Sequence, residues 1–246
     1  MTAATVLGLP ALGALACVLV VYLGAVMQAA TGVGVGILSS PILLLVDPDF
    51  IPATVVVAVL PLSFSVAIAD RKHIDRRGVT AALIGRVPGL ILGAVVVAAI
   101  SDDVLAILVS TTVLLGVAVS ITAKRFTPTT PALVLAGFGS GFTGTAVGVG
   151  GPPIAMTYQH SDPVVMRSTI SLFFSVGSVL TAIALAIAGE LGRRQLELVA
   201  LLLPSILLGL YTARHFKARL VGSGVRPVVL GLSAFSAVAL LVRTLI

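Results

Sequence analysis

"ATGVGVGILSSP", from Ala30 to Pro41, reads against helix at almost every position although it lies within a long apolar run. Gly32, Gly34 and Gly36 stand two apart, and two serines and a proline follow them. A helix interior loses about 1 kcal/mol to each Gly relative to Ala, and about 3 kcal/mol to a Pro. Yet both flanks look like membrane helix, and no Asp, Glu, Lys, Arg or His occurs from Met1 to Val46. In a bilayer, non-helical backbone is tolerated only where protein buries it or where it lines a watery cavity. The stretch therefore predicts a membrane helix that is broken at such a place.

The composition agrees with a membrane setting. The chain has 246 residues, 58% hydrophobic and 10% charged, and its mean hydropathy is +1.19. Soluble domains carry about a quarter charged residues, which excludes a soluble domain. The first residues lack the basic n-region and short apolar core of a signal peptide, so they are expected to remain as a membrane segment. The net charge of +6 comes from bases in short loops, the pattern of the positive-inside rule. It reports topology, and no nucleic-acid partner is expected. The single Cys17 gives neither a disulfide nor a metal pair.

A crossing helix needs about 20 apolar residues. Apolar runs fall near 5–29, 36–46, 50–69, 78–100, 104–123, 131–145, 151–159, 164–189, 195–213 and 225–246. The runs 36–46, 131–145 and 151–159 are too short to cross and sit beside glycine-rich breaks, so half-helices are expected there. The expected fold is an all-α polytopic membrane protein of about eight transmembrane segments, some broken or re-entrant.

The chain also repeats itself. "TGVGVG" (Thr31–Gly36) matches "TAVGVG" (Thr145–Gly150) at an offset of 114, and "PGLILG" (Pro88–Gly93) matches "PSILLG" (Pro204–Gly209) at 116. "LGVAVS" (Leu115–Ser120) matches "LGLSAF" (Leu230–Phe235) more loosely at 115. Three matches in order at nearly one offset indicate duplication within a single domain over 1–246. Repeat 1 covers about 1–123, repeat 2 about 131–246, and the linker 124–130 joins them. Loop charge places "DRKHIDRRG" (Asp70–Gly78), Lys124–Arg125 and "RHFKAR" (Arg214–Arg219) in the cytoplasm, with "DPD" (Asp47–Asp49) and "SDD" (Ser101–Asp103) outside. An odd number of spans per repeat inverts the second copy. Arg193 and Arg194 fit this least well, and parallel four-helix repeats are the alternative.

Transporters use matched helix breaks to aim half-helix N-termini, with their free N–H groups and positive dipole ends, at an anion near the midplane. Glycine lets backbone approach the ligand, and hydroxyls at Thr31, Ser39, Ser40, Thr143 and Thr145 would add donors. The competing account is close packing of helices through small residues. Arg86 sits eight residues into the span from Gly78, about 12 Å along it. A guanidinium there either binds an oxyanion or reaches the cytoplasmic interface beside Arg76 and Arg77. Its counterpart in the second repeat is Leu202. Arg167 is expected as an interfacial anchor, His160 as a solvated loop residue or a proton relay, and Gln28 as a cavity-lining group or a bond to a neighbouring helix. No paired carboxylates, metal spacing or Cys–His pair lies in a span, so neither an enzyme nor a metal or other cofactor is expected.

The glycine-rich break before a proline-containing half-helix, the basic "ADRKHIDRRG", "PGLILG" and a second copy opening "GFTGTAVGVGGPP" together resemble the TauE/SafE-type permeases, the sulfite/toluenesulfonate uptake family. The resemblance covers residues 12–243 and implies a multi-pass inner-membrane transporter of sulfite, organosulfonates or related small anions. It also implies a substrate region at Gly32, Gly34 and Gly36 in the first half, matched by Gly148, Gly150, Gly151 and Pro153 in the second. The candidate substrate-binding set is thus Thr31, Gly32, Gly34, Gly36, Ser39, Arg86, Thr145, Gly148, Gly150, Gly151 and Pro153. Alternating access is the expected mechanism, with a passive anion channel or a non-transporting membrane partner as alternatives. The coupling proton or ion and the oligomeric state, a homodimer included, stay open.

Overall fold

The computed structural model describes residues 5–122, 128–222 and 225–246, with the side chains of 122 and 216–229 outside that description. Residues 124–127 of the expected linker, including Lys124 and Arg125, and the side chains from Phe216 to Arg219 lie outside the described residues. The first expected span begins later than predicted. A short antiparallel pairing of β1 (Thr5–Val6) with β2 (Leu9–Pro10) comes first, turning through Leu7 and Gly8 at positive φ.

Helix α1 (Ala11–Thr31) then doubles back into α2 (Val35–Val46). Their antiparallel contact is close: a Cβ on Gly24 would lie 2.9 Å from Val35 Cα, and one on Gly13 would lie 3.1 Å from Val46 Cγ1. A 3-10 turn (Pro48–Phe50), α3 (Ala53–Ala58) and α4 (Leu60–Ala69) make one crossing of 22 residues. Next come α5 (Arg76–Val97) and α6 (Asp102–Thr122). The second hairpin, α7 (Thr130–Ala146) with α8 (Gly151–Tyr158), precedes α9 (Pro163–Ile187), α10 (Arg193–Gly222) and α11 (Val225–Leu245). Among the described residues, six helices are long and apolar enough to cross a membrane, against about eight segments expected, while α2 and Leu230–Leu245 are apolar but shorter. The chain is a multi-pass α-helical membrane protein. Helix starts follow their capping residues: Asp75 accepts the Gly78 N–H at 2.9 Å, and Asp162 accepts the Val164 N–H at 2.8 Å ahead of α9.

Polarity runs opposite to that of a soluble domain. Ile84, Val87, Ile91 and Val95 form an exposed apolar face on α5, spaced to lie on one side of a helix. Ser39, Ser63, Ser140, Thr145 and Thr181 are fully buried. Lipid is as apolar as Leu, so association in the bilayer relies on close packing and interhelical hydrogen bonds. The α5–α7 pair shows the packing directly. A Cβ on Gly85 would strike the Val134 carbonyl oxygen, one on Gly89 that of Phe138, and one on Gly137 that of Ala82. The glycines of "PGLILG" therefore serve contact between helices. Elsewhere α1 packs on α10 and α6 on α11.

Charge collects at the two ends of the helices, which the 22-residue Pro48–Ala69 crossing separates by about 33 Å at 1.5 Å per residue. At one end Arg194 pairs with Asp47 at 2.7 Å and with Asp49 at 3.6 Å, and donates to the Leu7 carbonyl at 2.6 Å. Arg193 pairs with Glu197 at 2.9 Å. The two arginines that fitted the loop-charge pattern least well are thus balanced by local carboxylates. At the other end Tyr158 donates to Asp75 at 2.8 Å, and the Asp75 N–H donates to Thr169 at 3.0 Å. Arg167, expected as an interfacial anchor, is instead buried and ion-paired with Asp70. Asp70 lies 97 residues away in sequence, so no local pattern could reveal the pair.

Candidate functional site

Both breaks turn on a glycine at positive φ, Gly32 at 92° and Gly148 at 72°, a region that side chains other than glycine's rarely enter. In the first break the Gly32 N–H still reaches the Gln28 carbonyl at 2.7 Å and closes α1. The Gln28 side chain then caps α2, its Oε1 accepting the Val35 N–H at 3.1 Å. In the second break Ser140 Oγ donates to the Gly150 carbonyl at 2.6 Å. The two breaks meet: a Cβ on Gly36 would run into the Gly148 carbonyl oxygen, and one on Gly151 would run into Val33 Cγ1. Glycine at 36 and 151 is what permits this approach.

A cavity of about 40 Å3 lies at the meeting point. Of the expected residues, Gly34, Gly36, Arg86, Gly148, Gly150 and Gly151 line it. The others sit outside it. Thr31 is exposed, with its hydroxyl donating to the Met27 and Val33 carbonyls. Gly32 backs onto Arg167 and Ile170. Ser39 donates back to the Val35 carbonyl within α2, and Pro153 faces Gly139 of α7. Thr145 shares a 3.1 Å hydrogen bond with Thr181, one step removed from the cavity. The lining also includes Gln28, Gly144, Phe174 and Ser178. Phe174, Ser178 and Thr181 carry a helical spacing along α9 that includes Gly177, and this small-and-polar stripe was available in the sequence as the inward face.

Arg86 is the cation of the site. It stands ten residues into α5, about 15 Å from the helix start, and is 2% exposed. Nη1 donates to Ser140 and Nη2 to Thr181, each at 3.3 Å. The guanidinium carbon lies 4.8 Å from the Phe173 ring centroid and 5.9 Å from that of Phe174. Among the described residues Nε has no hydrogen-bond partner and no carboxylate pairs with this arginine. Space for the group comes from missing side chains: a Cβ on Gly177 would lie 2.5 Å from Cζ, and one on Gly141 would lie 3.0 Å from Cγ. The interfacial alternative for Arg86 does not fit this burial.

The two half-helices differ as donors. The first turn of an α-helix has N–H groups without intrahelical acceptors, and α2 keeps them at Gly36 and Ile37. Helix α8 begins Gly151-Pro152-Pro153, and proline has no N–H to offer. The arrangement is thus one buried cation with free donor capacity and two aromatic rings beside it, and one donor-bearing helix start, at a small cavity. It suits a small anion. No group of His, Cys, Asp and Glu among the described residues is placed to hold a metal.

The chain matches no curated protein and no solved structure. A family model described as sulfite exporter TauE/SafE matches residues 17–240. With nearly the whole chain inside that match, this protein belongs to the TauE/SafE sulfite exporter family.

Proposed function

We propose that the chain is an inner-membrane permease for a small sulfur-containing oxyanion, sulfite or an organosulfonate, bound at Arg86 between the two helix breaks. The observation that carries this is a guanidinium buried at mid-span, with no carboxylate partner among the described residues and with its Nε unpartnered there. Burying an unpaired ion costs several kcal/mol even after relaxation, and ionisable groups within membrane spans mark ligand and ion pathways. An oxyanion accepts two parallel N–H bonds from a guanidinium. The start of α2 adds N–H groups and the positive end of its dipole.

Transport would proceed by alternating access between two inverted repeats. Several features support this. Gly32 and Gly148, the two positive-φ pivots, stand 116 positions apart, the offset of the "PGLILG" match. Helix α1 packs on α10 as α7 packs on α5, which is the exchange of partners that a two-fold relation between halves requires. The α1–α2 hairpin ends at Asp47, beside Arg194, whereas α8 ends at Tyr158, beside Asp75, so the two hairpins open at opposite ends. Arg71, Lys72, Arg76 and Arg77 crowd the Asp70–Asp75 end, and the positive-inside rule turns that end to the cytoplasm.

The test is a screen of purified protein against sulfite, sulfonates, sulfate and chloride for thermal stabilisation, followed by flux in proteoliposomes. A permease gives stabilisation by its substrate and saturable, gradient-coupled flux of the same anion. Absence of both across the panel refutes the assignment.

A further inference from the structure

We propose that Val33 is the gate between the arginine cavity and a second, methionine-lined cavity at the basic end of the molecule. The inference rests on the reading of the arginine cavity as the substrate site, and adds the route into it.

The second cavity has a volume of about 200 Å3 and is lined by Met27, Met156 and Met166 among others. These are three of the four methionines in the chain, brought together from α1, α8 and α9. The cavity lies among the ends of α1, α6 and α8 and the start of α9, all of which run to the Asp70–Asp75 end. Unbranched thioether side chains repack readily around a passing group, and they add no charge to compete with Arg86.

Val33, Gly34 and Ile37 line both cavities, so these three form the partition. Gly34 has no side chain to close it. Ile37 is carried on α2, within the helix that its neighbour Leu38 joins through an N–H reaching the Gly34 carbonyl at 3.0 Å. Val33 stands in the non-helical break, with its side chain seated on Gly151 of the opposite break. It is β-branched, so its χ1 is stiff, and opening must come from the backbone. Two features suit that motion. Gly32 next to it, at positive φ, is a pivot that glycine alone makes easy. The Thr31 hydroxyl, shared between the Met27 and Val33 carbonyls, also accepts the Val33 N–H at 3.4 Å, so exchangeable bonds hold the closed position.

The test reads thiol accessibility and needs no substrate, so a failed anion screen and a failed gate are separate results. Cys17 is the chain's one cysteine and is fully buried, which makes the unaltered protein the blank. Ser178→Cys places a thiol in the arginine cavity, and Met156→Cys places one in the methionine cavity. Purified protein is alkylated with a small anionic methanethiosulfonate reagent. The Met156→Cys thiol should react fast in every background, while an unreactive Cys17 reports a folded protein. The Ser178→Cys thiol should react slowly beside Val33, at least tenfold faster with Val33→Ala, and slowly again with Val33→Leu. Gly151→Ala, whose new methyl displaces Val33 from the opposite side, should speed it as well. Equal Ser178→Cys rates with valine and alanine at 33, or a rate already matching Met156→Cys in the native background, would overturn the gate.

Discussion

Replacing Arg86 with Gln removes the charge while keeping a polar group that can meet Ser140 and Thr181. In the empty protein the guanidinium has two neutral hydroxyls at 3.3 Å and two aromatic rings. Such partners offset only part of the several kcal/mol that burying an ion costs. The empty Arg86→Gln protein should therefore unfold at the same temperature as its parent or higher. With substrate bound the balance reverses. Breaking a buried ion pair by removing one partner costs about 3–5 kcal/mol, which weakens the dissociation constant by about two to three and a half decades at about 1.4 kcal/mol per decade. At substrate 100-fold above the parent dissociation constant, the parent gains about 2.7 kcal/mol. At roughly 2–4 °C per kcal/mol for a chain of this size, that is a rise of about 5–11 °C. The same concentration would at best equal the variant's dissociation constant and give it about 0.4 kcal/mol, a rise of about 1–2 °C. Thermal unfolding in detergent across a sulfite or sulfonate titration reads both quantities. A full substrate-induced rise in the Arg86→Gln protein would refute the role given to this residue.

Gly177→Ala puts a methyl group where the guanidinium lies, so the same titration should show substrate affinity down at least tenfold in a protein that still inserts. Gly34→Leu and Gly150→Leu should abolish uptake of labelled anion into proteoliposomes. A Cβ at Gly34 lies 2.6 Å from the Gly24 carbonyl oxygen and one at Gly150 lies 2.9 Å from that of Ser140, and normal flux in both would count against the breaks as the site. Asp70→Asn leaves the buried Arg167 without its partner and should destabilise by about 3–5 kcal/mol. Arg193→Ala, at a side chain 92% exposed, should cost under about 1 kcal/mol, and chemical unfolding of both variants compares the two.

The sequence carried the helix breaks because glycine and proline act locally, and it carried Arg86 because an ionisable residue stands out in an apolar span. It carried the short runs 36–46, 131–145 and 151–159 for the same reason, and the helices found are Val35–Val46, Thr130–Ala146 and Gly151–Tyr158. What it could not carry depends on contacts between distant helices. "PGLILG" and "TGVGVG" look alike as strings, yet Gly89 and Gly93 seat α7 against α5 whereas Gly34 and Gly36 line a cavity. Thr31, Ser39 and Thr145 looked equivalent as hydroxyl donors. In the fold the first two satisfy backbone carbonyls of their own hairpin, and the third bonds to Thr181. Arg167 was misjudged because its partner Asp70 is remote in sequence, and a helix start looks the same whether its arginine meets water or a carboxylate.

The departures from symmetry between the halves bear on mechanism. Arg86 comes from the first half, and the equivalent position in the second is the buried Leu202. The hydroxyls that hold Arg86, Ser140 on α7 and Thr181 on α9, both come from the second half. The donor-bearing helix start is that of α2, while the prolines of α8 withhold theirs. The cation and its best helix dipole thus ride on one half and the arginine's neutral supports on the other. Any displacement of one half against the other changes which donors of Arg86 are free to meet an anion. A site built wholly within one half would bind equally well in either state, and binding that is equal in both states shifts no equilibrium. The alternating access proposed above therefore calls for a site shared between the two halves, and Arg86 held by Ser140 and Thr181 is shared in that way.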